Sequence, residues 1–291
     1  MLNADQIVYL NGEFVALEDA RVSVLDRGFI YGDGVYEVVP VYGRQPFRMP
    51  HHLRRLQYSL DGVRMANPHS DVQWDTLVRE LCAKQPFVDQ AVYLQITRGV
   101  AKRDHAFPPG APATVFMMSN PLPLPSREQV EHGVAVVTAE DNRWHGCDLK
   151  TTSLLGNVLM RQLAVDHNAV ETVMFRDGFL TEASASNVLI VRNGTVIAPP
   201  KDHLILPGIT YDATLEVARA AGVTLDVRKV TRAEALAADE MWLSSSTKEV
   251  LSITKVDGAA FGEGVPGPVF RKVWHAFQAM KPHAAEAALA R

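Results

Sequence analysis

Residues 148–160 read DLKTTSLLGNVLM, and Lys150 is the residue in this stretch that is hardest to explain. The Thr-Thr-Ser run after it is typical of a helix start, and Leu155, Leu159 and Leu163 recur at every fourth position. The pattern predicts a helix whose leucine face packs inward, with Lys150 at its N-terminal end. A lysine there either reaches water or is held in a site that requires an amine.

The length and charge of the chain restrict its class. At 291 residues it is long enough to divide into two domains, because single cores stop growing at about 250 to 300 residues. The net charge is -4, and acidic and basic residues are interspersed without a basic stripe. This argues against a nucleic-acid partner. Small anionic ligands remain possible, because local arginines and backbone amides bind them.

The two cysteines, Cys82 and Cys147, are too few for a disulfide scaffold, and the chain has no CxxC spacing for a metal, so no metal site is predicted. A reducing compartment is therefore expected. The first residues, MLNADQIVYLNG, lack the basic and apolar segments of a signal peptide, and no run of 18 apolar residues occurs. These features predict a cytoplasmic protein with no membrane partner.

Turn signals and apolar periodicity predict the secondary structure. Asn11-Gly12, Asp177-Gly178 and Asn193-Gly194 each lie between apolar runs and predict three hairpins. Pro40 should lie at a sheet edge or bulge, because it cannot donate to a ladder. LSSSTKEV at 243–250 should join a strand to a turn. The predicted strands are 35–43, 91–99, 114–121, 133–139 and about 223–230, and the predicted helices are 50–65, 73–84 and one that follows 207–210.

The segment PLPLPSRE at 121–128 alternates proline with leucine and predicts a stiff extended linker. We place the domain boundary there, between an N-terminal domain at 1–120 and a C-terminal domain at 129–291. Strands and helices are mixed without strict alternation in both parts, which indicates an α/β (α+β) protein.

Each candidate residue has an ordinary and a functional interpretation. Most lysines are solvated surface residues, and Lys150 becomes a candidate amine nucleophile only through its surroundings. In TEASASNV, Glu182 is either a solvated turn residue or a carboxylate held against a ring nitrogen. Ser184, Ser186 and Asn187 follow it and offer donors and acceptors.

A possible phosphate site follows in LILPGIT. A glycine precedes a helix start, so the amides of Ile209 and Thr210 would face outward at the positive end of the helix dipole. The alternative is an ordinary turn before a helix. The hydroxyl run at 244–247 either adds donors or caps the next element. Arg55 lies on an amphipathic helix, where an arginine is normally a surface residue and only occasionally binds phosphate.

Four motifs, RWHGCDLKTTSLLGNVLM, TEASASNV, LILPGIT and LSSST, occur in the order seen in a known family. The chain resembles the pyridoxal-phosphate enzymes of fold type IV over roughly residues 5 to 280. This family includes D-amino-acid and branched-chain aminotransferases, (R)-amine transaminases and aminodeoxychorismate lyases. The resemblance implies a small N-terminal and a larger C-terminal α/β domain with pyridoxal 5'-phosphate between them, and at least a homodimer.

The resemblance also implies roles for individual residues. Lys150 would hold the cofactor as an internal aldimine and transfer protons, and Glu182 would pair with the pyridinium nitrogen. Leu206 would support the ring, with Ser186 and Asn187 beside it. The phosphate would be bound by Arg55, Ile209, Thr210, Ser246 and Thr247.

Within the family, YGDGVYEV together with the Arg-x-His-x-Phe-Pro pattern resembles the D-amino-acid aminotransferases. Arg103 and His105 stand two residues apart, so in an extended segment both would point to one side. The alternative is a solvated loop. By resemblance, Tyr36, Arg103 and His105 bind the substrate's α-carboxylate, and the partner subunit lends the loop that carries Arg103 and His105. The implied reaction is ping-pong transamination of a D-alanine-like donor with a 2-oxo acid such as 2-oxoglutarate.

Three features depart from the family pattern: Tyr211, the His145-Gly146 pair and Pro40. They leave the preferred side chain open. Four other activities also remain open: a branched-chain L-amino-acid aminotransferase, an (R)-amine transaminase, an aminodeoxychorismate lyase, or a silent protein that only binds the cofactor. Arg103 and His105 argue against the first, and the complete set of reactive residues argues against the last.

Overall fold

The computed structural model describes residues 6–282, which form two compact units. The first comprises residues 6–122, 149–154 and 282, and the second comprises 123–148 and 155–281. The division at 121–128 stays a prediction, and its outer ends, 1–5 and 283–291, lie outside the described residues. The structure differs from that division in grouping 149–154, which contains Lys150, with the first unit. Among residues 6–282, no helix combines the length and the apolar character that crossing a bilayer requires.

The first unit is built on a six-stranded antiparallel sheet with the order β2-β1-β6-β5-β3-β4. Its elements are β1 (Ile7–Leu10), β2 (Glu13–Ala16), α1 (Arg27–Tyr31), β3 (Gly34–Tyr42), β4 (Gln45–Pro46), α2 (Met49–Gly62), α3 (Asp71–Ala83), β5 (Gln90–Thr97) and β6 (Thr114–Pro121).

The sequence signals explain these elements. Asn11 and Gly12 adopt positive φ angles of 49° and 104° in the β1–β2 turn, which confirms the first hairpin. The strands and helices predicted up to residue 121 are also found, with bounds shifted by at most three residues. One side of β3 pairs with β5, and on its other side the short strand β4 pairs only with Val41 and Tyr42. Pro40 therefore lies beyond the end of the β4 pairing. Its carbonyl accepts from Phe47 N at 2.8 Å, so the missing N–H is not needed there.

The core of the first unit lies between the sheet and the helices α2 and α3. Leu53, Leu56 and Leu60 form the buried side of α2, as their spacing predicts. Ser70 caps α3 through the N3 backbone amide, and Gln73 completes a capping box. The helices therefore hold β3, which carries Tyr36 and Glu37, against a packed layer.

The second unit contains a nine-stranded mixed sheet, with eight strands in the order β12-β11-β10-β13-β14-β7-β8-β9 and β15 paired to β14. Its elements are α4 (Arg127–His132), β7 (Val134–Glu140), α5 (Leu155–Asp166), β8 (Glu171–Arg176), β9 (Phe179–Ala183), β10 (Asn187–Arg192), β11 (Thr195–Ala198), α6 (Ile209–Ala220), β12 (Leu225–Val227), α7 (Arg232–Leu236), β13 (Glu240–Ser245), β14 (Glu249–Val256), β15 (Ala259–Ala260) and α8 (Pro268–Met280).

Two further hairpins are confirmed in this unit, at Asp177-Gly178 and Asn193-Gly194, where all four residues have positive φ. The strand predicted at 133–139 is β7, the one near 223–230 is the shorter β12, and the helix after 207–210 is α6. Every residue of β8 is buried, as expected for an inner strand between β7 and β9.

The predicted buried stripe on α5 is wrong. Leu155 is 72% exposed and Leu159 is 58% exposed, and Leu163 is only partly buried. Ala164 is the buried residue of this helix. The leucine spacing correctly indicates an apolar face, but periodicity does not reveal what covers that face. Lys150 is also not at the N-terminal end of the helix, because α5 begins five residues later, at Leu155.

Candidate active site

Lys150 is held in the first unit by backbone hydrogen bonds. Its carbonyl accepts from Tyr36 N at 2.9 Å on β3, and its own N–H donates to Ser59 Oγ at 3.1 Å on α2. A bridge between Thr151 and Val35 continues this pairing. The extended segment therefore places Lys150 beside two elements that are fixed by the core.

Tyr36 is the aromatic neighbour of Lys150. The Lys150 Nζ lies 4.2 Å from the centroid of the Tyr36 ring, which itself stacks on Tyr93 at 5.6 Å. Two residues that the sequence analysis assigned to different roles, cofactor attachment and carboxylate binding, are thus in contact.

Arg55, a predicted phosphate ligand, is paired with a carboxylate in this structure. Its Nε and Nη2 donate to the two oxygens of Glu37, both at 2.8 Å, and His52 Nδ1 lies 2.8 Å from Glu37 Oε2. Burial favours the protonated carboxyl, but the charge and hydrogen bonds of Arg55, with help from His52, hold the pKa of Glu37 well below its usual range. Burial lowers the pKa of His52 and so favours its neutral form, although the neighbouring Glu37 opposes this effect.

Sequence reasoning missed Glu37 and His52. Both side chains are almost fully buried, and the Nε2 atom of His52 has no hydrogen-bond partner among residues 6–282. The spacing of His52 and Arg55 on one helical face was visible in the sequence, but their common partner on β3 was not.

Arg103 and His105 lie in an exposed loop between β5 and β6. The Arg103 Cζ lies 5.6 Å from the centroid of the Tyr31 ring, and the His105 ring lies 5.4 Å from the same centroid. The structure therefore brings both predicted side chains to one aromatic ring, which agrees with their spacing of two residues.

Glu182 is the buried carboxylate of the second unit. Its Oε1 accepts from Arg143 Nη1 at 2.7 Å, and its Oε2 accepts from Leu206 N at 3.0 Å and from Asn187 Nδ2 at 3.2 Å. Burial raises the pKa of Glu182, and Arg143 opposes this effect by its charge and hydrogen bond. Three predicted cofactor residues, Glu182, Asn187 and Leu206, are thus joined in one hydrogen-bonded group.

Arg143 belongs to a buried ion-pair network that sequence reasoning missed. Its guanidinium forms two hydrogen bonds of 2.9 Å with the oxygens of Asp141, which also accepts from Thr181 Oγ1 at 2.9 Å. Arg176 lies 3.0 Å from the same carboxylate. Arg143 lies in the RWHGCD motif, but nothing in its neighbouring residues indicates that it is buried.

The predicted phosphate residues Ile209 and Thr210 are the first two residues of α6, and both are buried. The N-cap is Gly208, which supplies no side-chain hydrogen bond to the helix start. A Cβ at this position would overlap with Asn187 Oδ1. The first amides of this 12-residue helix therefore have no side-chain cap from Gly208, which suits an anion site at a helix start.

The hydroxyl residues Ser246 and Thr247 lie in the turn between β13 and β14. Within this turn, Ser245 Oγ accepts from Lys248 N at 3.2 Å. The structure gives no direct hydrogen bond from Ser246 or Thr247 to α6, although the Oγ atoms of Ser244 and Thr214 are 3.4 Å apart. Their place in the phosphate site stays a prediction.

Glu171 is another buried carboxylate that the sequence did not reveal. It accepts from Ser184 Oγ, from Ala185 N at 2.9 Å and from Ser186 Oγ at 2.8 Å, and it pairs with Lys248 Nζ at 2.8 Å. The predicted cofactor residue Ser186 thus donates to Glu171. The carboxylate ties the turn after Glu182 to the turn that carries the hydroxyl run.

Tyr211 and His145, which depart from the family pattern, both lie in the second unit and contact other residues there. Tyr211 is buried in α6 and donates to Pro199 O at 2.8 Å. The rings of His145 and His203 are 6.2 Å apart and both residues are exposed. Tyr211 therefore fixes the start of α6 to the chain after β11.

Comparison with known proteins adds an independent finding. Residues 34–256 match the model of the family described as amino-transferase class IV. A D-alanine aminotransferase of Bacillus licheniformis is 35% identical over 271 residues, which cover 93% of this chain and 95% of that protein. A D-alanine aminotransferase of Listeria monocytogenes is 37% identical over 265 residues, with 90% and 91% covered.

Solved structures show the same fold. A branched-chain amino acid aminotransferase from Escherichia coli superimposes with a TM-score of 0.88 at 26% identity, covering 96% of this chain and 94% of that chain. The branched-chain aminotransferase of Thermoproteus uzoniensis with norvaline gives a TM-score of 0.84 at 25% identity, with 94% and 93% covered. The D-alanine aminotransferases named above are more similar in sequence than either of these.

Proposed function

The chain belongs to the class IV aminotransferase family, and from this premise we propose that it transfers the amino group of a D-alanine-like amino acid to a 2-oxo acid. The family depends on pyridoxal phosphate, and the acceptor is a 2-oxo acid such as 2-oxoglutarate. The observation that carries the proposal is the position of Lys150, whose backbone is fixed at both its N–H and its C=O and whose amine lies against Tyr36.

The residues of the chain fit pyridoxal phosphate. Glu182 is a buried carboxylate suited to a protonated ring nitrogen. The uncapped start of α6 offers the amides of Ile209 and Thr210 to a phosphate, and Gly208 leaves no room for a side chain there. Leu206, Ser186, Asn187, Ser246, Thr247 and Arg55 complete the proposed cofactor set. In this proposal Arg55 binds the phosphate while it keeps its hydrogen bonds to Glu37.

The residues divide the work of proton transfer and charge stabilisation. When bound, the cofactor draws electron density from the α-carbon of the substrate into its ring. The Lys150 amine takes the α-proton and returns a proton to complete the transfer, which is general acid-base catalysis. Glu182 supplies the negative charge that keeps the ring nitrogen protonated. Arg143 favours the ionised form of Glu182 because it stands 2.7 Å away as a permanent cation.

The substrate's carboxylate is assigned to Tyr36, Arg103 and His105. A guanidinium and an imidazole on one side of a loop provide charge and directed donors for a carboxylate. The common position of Arg103 and His105 beside Tyr31 supports a joint role. We place this loop in the site of the partner subunit, so that a homodimer is required for activity.

The exposed face of α5 supports the homodimer. Leu155, Val158 and Leu159 are 72%, 58% and 58% exposed and lie on one side of the helix. Contiguous exposed apolar side chains mark interaction sites. A second copy of the chain is the occupant that we assign to this face. A cytoplasmic location is proposed from Cys82 and Cys147, which are both free thiols.

Borohydride reduction of the cofactor-saturated protein, followed by peptide mapping, tests the attachment site. We expect the reduced cofactor on Lys150 and its loss in Lys150→Ala, with turnover lowered at least about a hundred-fold. Lys272→Ala, at an exposed lysine on α8, is the matched control. A reduced cofactor on a different residue would remove Lys150 from its assigned role.

Spectroscopic half-reactions test the substrate. D-alanine and D-glutamate should convert the cofactor to its amine form faster than their L-enantiomers. L-leucine tests the second candidate, a branched-chain L-amino-acid aminotransferase, which is favoured by the fold similarity to such enzymes. (R)-1-phenylethylamine tests amine transaminase activity. Pyruvate release from aminodeoxychorismate without an amino acceptor tests the lyase alternative.

A further inference from the structure

The loop that carries Arg103 and His105 is anchored on a partly buried carboxylate, Asp33. Arg27 Nε lies 2.7 Å from Asp33 Oδ2, and Arg98 donates to both oxygens of Asp33 at 2.8 and 3.0 Å. Burial opposes ionisation, but the two guanidinium groups lower the pKa of Asp33 below its ordinary value. Asp33 therefore holds two arginines in fixed positions.

These two arginines hold the loop. Arg27 Nη1 donates to the carbonyls of Asp104 at 2.5 Å and Ala106 at 3.3 Å, and its Nη2 donates to His105 O at 3.4 Å. The Arg98 Cζ lies 3.8 Å from the centroid of the Phe107 ring. Although its side chains are exposed, the loop is thus fixed by its backbone and by Phe107.

Tyr31, the last residue of α1, forms the surface against which the loop side chains lie. Arg103 and His105 stand beside its ring, and the Cζ of Arg27 is 4.8 Å from the ring centroid. The hydroxyl oxygen of Tyr31 is buried and has no hydrogen-bond partner among residues 6–282. A buried hydroxyl without a partner is unfavourable, so such a group usually has an unassigned ligand or water.

We propose that Tyr31 is a further donor of the carboxylate site, in addition to Tyr36, and that its hydroxyl donates to the same carboxylate that Arg103 and His105 bind. The inference rests on the proposed function, because that function assigns the substrate's carboxylate to this loop. Its ligand class is the α-carboxylate of an amino or 2-oxo acid. Because Tyr31 and the loop share one unit, any site that receives Arg103 and His105 also receives Tyr31.

A simpler role for Tyr31 is that of an aromatic support for the two cationic side chains. The ring alone would fulfil that role through its π face. Tyr31→Phe separates the two possibilities, because it keeps the ring and removes only the hydroxyl.

The test measures sodium propionate binding to the cofactor-loaded enzyme by titration calorimetry. This probe has a carboxylate but no amine. Tyr31→Phe should weaken propionate binding roughly ten-fold or more, as expected for a hydrogen bond to a charged group. It should also raise the KM for D-alanine while leaving that for (R)-1-phenylethylamine unchanged, since the latter lacks a carboxylate. Tyr9→Phe, which removes a hydroxyl 3.5 Å from His69 Nε2, is the matched control and should have no effect.

The possible outcomes separate this inference from the proposed function. If Arg103→Ala weakens propionate binding and Tyr31→Phe does not, the role of Tyr31 is wrong and the carboxylate site stands. If neither change weakens binding, the carboxylate is bound elsewhere and both proposals fail. The melting temperature of Tyr31→Phe should not fall, because the hydroxyl has no partner within the described chain; a clear decrease would contradict the inference.

Discussion

Arg143 Nη1 lies 2.7 Å from Glu182 Oε1, and the same guanidinium makes two hydrogen bonds with Asp141. The candidate partner of the cofactor nitrogen is therefore one end of a buried chain of alternating charges. Breaking such a pair leaves a buried charge uncompensated, which costs far more than the loss of a surface pair.

Arg143→Gln should shift the acid limb of the pH profile. Removing the cation raises the pKa of Glu182, whose pKa burial already raises, so the ionised form appears only at higher pH. We expect the acid limb of kcat/KM for D-alanine to move upward by about one pH unit or more. Arg143→Lys keeps the charge and should move it less. An acid limb that stays in place in Arg143→Gln would show that Glu182 does not control it.

Arg103→Ala should affect the substrate and not the cofactor. The Arg103 side chain is exposed and lies against the Tyr31 ring. Its removal therefore takes away a charged ligand of the substrate without disturbing the core. The KM for D-alanine should rise roughly ten-fold or more, while the cofactor dissociation constant stays within about two-fold. Steady-state kinetics and cofactor titration measure the two quantities. A larger effect on cofactor binding than on KM would place the carboxylate site elsewhere.

Leu159→Asp should dissociate the proposed homodimer. The side chain is 58% exposed in the single chain, so the folded unit tolerates aspartate, but an apolar interface does not. Analytical ultracentrifugation should show a shift from dimer to monomer together with loss of activity. Val72→Asp, at a valine that is 76% exposed on α3, is the control and should remain dimeric. A dimer that survives Leu159→Asp would assign a different surface to the interface.

Glu37→Gln should lower the free energy of unfolding and should weaken the dependence of that free energy on pH. The pKa of Glu37 is lower in the folded chain than in the unfolded chain, so its contribution is complete above the unfolded pKa, about 4.3, and declines as the pH falls toward the folded value. At pH 7 the substitution should cost about 3–5 kcal/mol, because Arg55 loses its buried partner.

Thermal unfolding between pH 7 and pH 3 measures both effects of Glu37→Gln. The wild-type melting temperature should approach that of the variant as the pH falls below about 4.3. Asp75→Asn removes an exposed pair with Arg79 on α3 and should change stability by less than about 1 kcal/mol. Parallel curves for wild type and Glu37→Gln would contradict the assigned pKa shift.

The sequence predicts those parts of the fold that depend on neighbouring residues. Asn11-Gly12 and Asn193-Gly194 form turns because asparagine and glycine tolerate positive φ, a property that needs no information about distant strands. The fold class was likewise accessible, because the order of four short motifs resembles that of the family to which the chain belongs.

Residues whose roles depend on distant partners were not predictable in this way. Arg143, Glu171 and Asp33 carry no local sequence signal of their roles, because only the fold brings each to oppositely charged groups far along the chain. Arg55 was recognised as a candidate ligand, but its pairing with Glu37 was not. The apolar spacing on α5 was recognised too, whereas its exposure in the single chain depends on what packs against it.

The placement of residues 149–154 has a consequence for biosynthesis. Gly34 and Tyr36 on β3 hydrogen-bond to Thr152 and Lys150, which the ribosome adds only after the whole of β7 and the loop that follows. When the last strand of the N-terminal sheet has been synthesised, Gly34 and Tyr36 on β3 therefore still lack these backbone hydrogen-bond partners. A fragment truncated at residue 122 lacks those backbone partners, so maturation of this sheet is coupled to synthesis well beyond its last strand.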